Sequence, residues 1–217
     1  MTCNGVVVTR ATLALDDLDK HLESEALRNV LTEMLAAQGI EVQWSKWTFS
    51  GWKFRFNDAY IEFSFNGGEV KVTDQNYGQE QAKPGMKARI EKTQQVIALF
   101  AGQVMQGQAV KSFQAMGMNP RDVKALPDGA LEFRIDLSAA PSHPNSLLRE
   151  TARIQVGLDG VMKTITEDGG FDAGKKKLEL ILGMFGQQSG LNVTPSNEFE
   201  SHRHEQDAAR LTLNNGW

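Results

Sequence analysis

Residues 84–117, PGMKARIEKTQQVIALFAGQVMQGQAVKSFQAMG, decide how the fold is read. Ile90, Ile97, Phe100, Ala101, Val104 and Met105 recur at three- and four-residue steps, which sets them on one face of a long helix. Lys87, Glu91, Lys92, Gln95 and Gln103 fall largely on the other side. Pro84 suits a first helical turn, where its missing N–H costs little. Gly117 followed by Asn119-Pro120 is a stop signal. Gly102 and Gly107 interrupt the pattern, each at about 1 kcal/mol relative to alanine. A helix keeps such glycines where a sheet or another chain approaches closely, so Gly102 and Gly107 are candidate partner contacts. The helix reads as the lid on a sheet.

Upstream, residues 5–9 carry three consecutive valines and read as a short buried strand. Residues 13–37 follow with Leu15, Leu18, Leu22, Ala26, Val30, Leu31, Met34 and Leu35 at helical spacing. Asp16, Asp17 and Asp19 stand where a helix start favours negative charge, and Gly39 closes the segment. Alternation then predicts strands over 41–46, 47–56, 60–65 and 69–73. Trp52, Phe54 and Phe56 share one face, as do Ile61, Phe63 and Phe65, and Asn66-Gly67-Gly68 is a hairpin turn.

Downstream, residues 123–126 and 130–137 flank a Pro127-Asp128-Gly129 turn. Residues 138–146, SAAPSHPNS, have no periodicity and read as a linker. A second pair of strands, 152–158 and 161–167, flanks Asp159-Gly160. A short helix is expected over 174–183, then a polar tail. The two Asp-Gly hairpins echo each other while their flanks do not, so no repeat is read. The expected layout is a 1–137 domain, a 138–150 linker, a 151–200 hairpin-plus-helix unit and a 201–217 tail.

The chain has 217 residues, 41% of them hydrophobic and 23% charged, enough for a packed core. A net charge of −4 argues against wholesale binding to nucleic acid or acidic lipid and leaves room for a local basic patch. The lone Cys3 excludes an internal disulfide and fits a reducing compartment. Neither a membrane span nor a secretion signal is read, so a soluble, cytoplasmic protein is expected.

Residues 153–200 resemble a family of unknown function, number twenty-nine ninety-seven in the domain-of-unknown-function series. The resemblance rests on residues 153–158, Asp159-Gly160, Gly170-Phe171, Gly174-Lys175, Leu182-Gly183 and Thr194-Pro195 with Glu198-Phe199. Where that family commonly carries a cysteine after the Gly-Lys, this chain has Lys176 and Lys177. Residues 5–137 are similar to the hypothetical chloroplast reading frame thirty-five family of cyanobacteria and plastids. The matching pieces are residues 6–9, Asp17-Leu18, residues 39–42, Gly117-Met118, and Asp128-Gly129 followed by residues 131–135. Neither resemblance brings a catalytic set. Both imply an accessory or adaptor role, with an AAA-type ATPase as the partner.

Three patterns invite chemistry. Gly169 to Lys175 fits the Gly-x-x-x-x-Gly-Lys skeleton of a phosphate loop, but Lys176 stands where magnesium binding needs Ser or Thr. What remains is an anion site at a helix start, with Gly170, Gly174, Lys175 and Lys176 as candidates beside Lys177. Trp44, Lys46, Trp47, Trp52, Lys53 and Arg55 interleave aromatic and basic residues, as single-strand binders do. The bland account makes Trp44, Trp52, Phe54 and Phe56 core and the basic residues a solvated face; the nucleic-acid candidates are Trp47, Lys53 and Arg55. His202 and His204, with Glu198, Glu200 and Glu205 nearby, could meet a metal only on a strand, and a solvated terminus is the plainer account.

The sequence therefore predicts an α+β protein: an antiparallel sheet with two helices packed on one face, followed by a small β-hairpin–helix unit. No catalytic residues, metal or cofactor are assigned. The preferred function is a non-enzymatic binding or adaptor protein acting with a protein partner. A nucleic-acid-binding module and a phosphate- or nucleotide-binding protein are the alternatives.

Overall fold

Strict alternation through residues 51–66 forces one side of each strand inward, and Phe54, Phe56, Ile61, Phe63 and Phe65 are at most 1% exposed. The computed structural model describes residues 5–15, 17–47, 51–66, 69–136, 151–168 and 171–203. In chain order these form β1 (Gly5–Ala14), α1 (Leu18–His21), α2 (Glu25–Ala36), β2 (Val42–Trp47), β3 (Gly51–Phe56), β4 (Ile61–Asn66) and β5 (Glu69–Asp74). Then come α3 (Met86–Ala115), β6 (Arg121–Ala125), β7 (Leu131–Asp136), β8 (Thr151–Val156), β9 (Val161–Asp168), α4 (Phe171–Gln188) and β10 (Asn192–Arg203). The fold is α+β, with antiparallel strand pairs throughout the registered ladders.

The chain divides into two compact units, one of residues 14–105 and the other of the described residues up to 13 and from 106 onward. In the first, β2, β3, β4 and β5 make an antiparallel meander in sequence order. Trp44, Phe54, Phe63 and Val72 stand opposite one another across its four strands. Their face packs on Leu18 of α1, Leu31 and Leu35 of α2, and Ile97 and Phe100 of α3. The Trp44–Phe54 and Phe54–Phe63 ring centroids lie 5.1 and 4.9 Å apart, within aromatic contact range. Each buried phenylalanine contributes about 1.5–3 kcal/mol, so Phe54 and Phe63, with the equally buried Phe56 and Phe65, are major supports of the unit.

In the second unit the sheet order is β10-β1-β9-β8-β7-β6. Val7, Ala11, Phe133, Ile135, Ala152, Ile154, Val156 and Met162 are at most 1% exposed on its inner face. Phe113 of α3 stacks on Phe185 of α4 at 4.8 Å and meets Phe133 edge-on at 5.5 Å. The Gln106 amide donates to the carbonyls of Gly129 and Val156, which ties α3 to both hairpins of the sheet. Asp128 and Asp159 accept from the backbone two residues on, and Gly129 and Gly160 take φ of 81° and 84°, the geometry expected of those turns.

Helix α3 starts at Met86, after Gly85 at φ 78°, two residues beyond the expected Pro84 start. It ends as expected: Gly117 has φ 76°, and the Met118 N–H donates back to the Phe113 carbonyl at 2.9 Å.

The expected 13–37 helix is shorter and broken. Residues 10–14 extend β1 beyond the expected 5–9, because they pair with β9 as far as Thr12, and the Leu13 N–H donates to the Gly160 carbonyl. Arg28 then donates to the carbonyls of Leu22 and Glu23 between α1 and α2, taking up groups a continuous helix would have bonded itself. The 151–168 hairpin is not a separate unit, since β8 pairs with β7 and β9 with β1. Helix α4 runs from 171 to 188, longer than the expected 174–183. Residues 192–203, read as polar tail at their C-terminal end, form the edge strand β10, where Pro195 is tolerated. The expected linker 138–150 and the rest of the tail lie outside the described residues.

Candidate functional site

The outer face of the four-stranded sheet collects the residues that alternation turns away from the core. Gln43, Arg55, Glu62 and Thr73 form one cross-strand row, and Ser45, Lys53, Ser64 and Lys71 the next. Lys53 Nζ lies 2.9 Å from Glu62 Oε2, with both side chains less than a fifth exposed, and Arg55 donates to Gln43 Oε1 at 2.9 Å. A shallow cleft of about 440 Å³ opens here, lined by Gln43, Lys53, Arg55, Tyr60, Glu62 and Gln75 among others.

Both tyrosines of the chain stand at this end of the sheet. Tyr60 is 59% exposed and Tyr77 97%, and the Gln75 N–H donates to the Tyr60 carbonyl, joining their two loops. Tyr77 has φ 55°, a left-handed conformation uncommon for a bulky residue, and Gly78 follows at 88°. The loop that holds it is anchored. Burial pushes the Asp74 carboxyl up, but backbone N–H donors from Gln81, Asn76 and Glu80 outweigh this and hold it below the usual carboxylate range. Glu80, 2% exposed, pairs with Lys83 at 2.7 Å. A rigid loop therefore presents an exposed aromatic ring.

The interleaved Trp/Lys/Arg stretch does not form one surface, because alternation divides it between two faces. Trp44 and Trp52 lie on the helix side: Trp44 Nε1 donates to Thr32 Oγ1 at 2.8 Å, and the Arg28 guanidinium sits 3.7 Å from the Trp52 ring centroid. Lys46 shares that side and binds Glu23 at 2.7 Å, and this hydrogen bond above all holds the Glu23 carboxyl below its usual range. Lys53 and Arg55 point the other way. The Trp47 backbone pairs with Gly51, and its side chain lies outside the described residues.

At the glycine-rich turn the helix already begins at Phe171, so Gly174, Lys175 and Lys176 belong to its first turns rather than to a loop. Lys175 lies 3.9 Å from Glu179, Lys176 is exposed, and Gly170 is outside the described residues. On α3, Gly102 is buried, whereas Gly107 is exposed with no atom within 4 Å of where a Cβ would stand among the described residues. His202 lies in β10, and His204 is outside the described residues. Among the described residues, no group of three or more His, Cys, Asp or Glu is placed to hold a metal. No described helix is long and apolar enough to cross a membrane.

Tyr60 and Tyr77 were not among the sequence-predicted site residues. Their signal was compositional: the only two tyrosines both fall in polar stretches flanking strands. What the described residues define is the class, an α+β protein with an open polar sheet face. In comparison with known proteins, the chain matches no family model and no curated protein.

Proposed function

We propose that this chain is a non-enzymatic binding protein that engages a protein partner through the Tyr60–Tyr77 end of its four-stranded sheet. One observation supports the reading: exposed Tyr60 lines the same cleft as Arg55, and exposed Tyr77 stands on an anchored loop at that end of the sheet. Tyrosine and arginine are the residues that most often concentrate binding energy at interfaces, and tyrosine does so at low conformational cost. Exposed Gly107 is a further contact in this proposal. The resemblance to two families often encoded beside AAA-type ATPases makes such an ATPase the partner to try first. A cytoplasmic setting belongs to the same proposal, in keeping with the single cysteine.

The test is capture of partners by the tagged chain from nuclease-treated native extract, followed by reconstitution with the purified ATPase. The double variant Tyr60→Ala, Tyr77→Ala is expected to weaken the complex at least tenfold with an unchanged Tm, as loss of about 1.4 kcal/mol or more at hot spots requires. An undiminished complex in that variant would move the contact elsewhere, and no complex at all would remove the adaptor function.

A further inference from the structure

The outer face of the six-stranded sheet carries a line of cations that no sequence pattern announces. Arg121, Arg134 and Arg153 stand directly opposite one another across β6, β7 and β8. Lys163 of β9 sits one row over, opposite Gln155, and Arg10 of β1 is opposite Lys163. Each flanks residues buried on the inner face: Phe133 and Ile135 around Arg134, Ala152 and Ile154 around Arg153, Met162 and Thr164 around Lys163. A cation therefore occurs on each of five neighbouring strands. At the ordinary strand separation of about 4.8 Å, the line runs about 19 Å.

A backbone irregularity lengthens it. Asp122 has φ 53°, and the register shifts between Arg121 and Lys124, so two residues of β6 oppose Phe133 alone. Without that bulge Arg121 and Lys124 would face opposite sides; with it both join the outer face. Among the residues whose side chains are described, the acids there are few. Glu132 is taken by Lys124 at 2.8 Å and by Gln155 at 2.7 Å, and Asp122 lies 3.9 Å from Arg134, while Asp136 stands at the end of β7. Among the described residues, Arg121, Arg153 and Lys163 have no carboxylate in salt-bridge range. Like charges placed directly opposite on adjacent strands destabilise a sheet. Three arginines in consecutive register, in a chain of net charge −4, are a cost that packing does not explain.

We infer that this face binds the phosphate backbone of double-stranded nucleic acid, independently of sequence. The inference goes beyond the protein-partner proposal and uses a different sheet. No aromatic residue shares these rows, whose other members are Val8, Glu132, Gln155 and Ile165, nor does the neighbouring Thr12–Val161 pair, so the face lacks the stacking platform that single-strand binders need. What it offers is a cation on each successive strand. About 19 Å of duplex axis presents five or six phosphates of one strand, roughly one per cation.

The experiment is fluorescence anisotropy of a labelled 24-base-pair duplex DNA of arbitrary sequence, titrated between about 50 and 200 mM salt. Engagement of Arg121, Arg134, Arg153 and Lys163 predicts a slope of log K against log salt near −3.6, from about −0.9 per phosphate neutralised. Arg134→Gln with Arg153→Gln is expected to halve that slope while Tm holds or rises, since two opposed charges are removed. Lys163→Gln alone should reduce the slope by about one, a second readout should the double variant not fold. Arms with the single strand, with phosphatidylserine vesicles and with polyglutamate separate the sources of charge. Absence of duplex binding at 50 mM salt would overturn the inference. So would an unchanged slope in both variants, or equal or tighter binding to any of the other three ligands.

Discussion

Gly107 sits inside a 30-residue helix, exposed, with no described atom within 4 Å of its missing Cβ. Alanine there removes unfolded-chain entropy and meets nothing, so Gly107→Ala is expected to stabilise the protein by about 1 kcal/mol, read as a higher urea midpoint at an unchanged m value. A lower midpoint would mean that the backbone needs the glycine. The gain matters for the proposed function: if Gly107→Ala stabilises the fold yet weakens partner capture, the glycine is kept for the close approach of another chain. Sequence alone placed Gly102 and Gly107 in the same category. Burial separates them, and burial depends on what packs around a helix, which periodicity along that helix does not report. The tyrosines were missed for a related reason. Exposure of Tyr60 and Tyr77 follows from where two loops meet, set by the Gln75–Tyr60 backbone bond, not from their immediate neighbours in the chain.

At the scale of elements, the meander was legible because alternation of aromatic and charged residues through 51–66 has only one strand reading. Edge strands were harder. All of β6 is exposed and β10 is polar and contains Pro195, so neither carries the apolar half of the signal. Beside its backbone ladder to β7, β6 is tied down by side-chain pairing, and Glu132 is the centre of it. Hydrogen bonds from Lys124 and then Gln155 hold the Glu132 carboxyl below its ordinary value of 4.5, against burial, which raises it. A folded-state value below the unfolded one stabilises the protein above the unfolded value, and that contribution is lost as pH falls through the folded value. Wild type should therefore exceed Glu132→Gln in stability most at neutral pH, with the gap narrowing below about 4.5, as urea midpoints at a series of pH values would show. A gap that stays constant down to pH 3 would show that the ionised carboxylate is not what β6 leans on.

The division of the whole molecule is where local reading reached least far. Asp128-Gly129 and Asp159-Gly160 announced two hairpins, but nothing in either says that their strands belong to one sheet, or that β1 joins them from more than a hundred residues away. Pairing over such separations is set by burial of a shared face, and the apolar alternation of β8 fits any sheet that offers one. In this sheet β1 is an interior strand, with the edge strand β10 on one side and β9 on the other. It pairs with β9 from Gly5 to Thr12 and buries Val7, Ala11 and Leu13 to 3% exposure or less. Burial of larger aliphatic side chains contributes about 1.5–3 kcal/mol each, so Val7 and Leu13 alone approach a substantial share of a domain's 5–15 kcal/mol. A chain lacking residues 1–13 also leaves β10 without its neighbour in the sheet order. Amide hydrogen exchange on that shortened chain is expected to show loss of protection in β9 and β10, while β3 and β4 of the other unit retain theirs. Protection kept in β9 would mean that β8 and α4 suffice to hold it and that β1 is dispensable to the sheet. Loss across β3 and β4 as well would mean that the two units unfold as one cooperative body, a coupling for which α3, shared between them, is the continuous element.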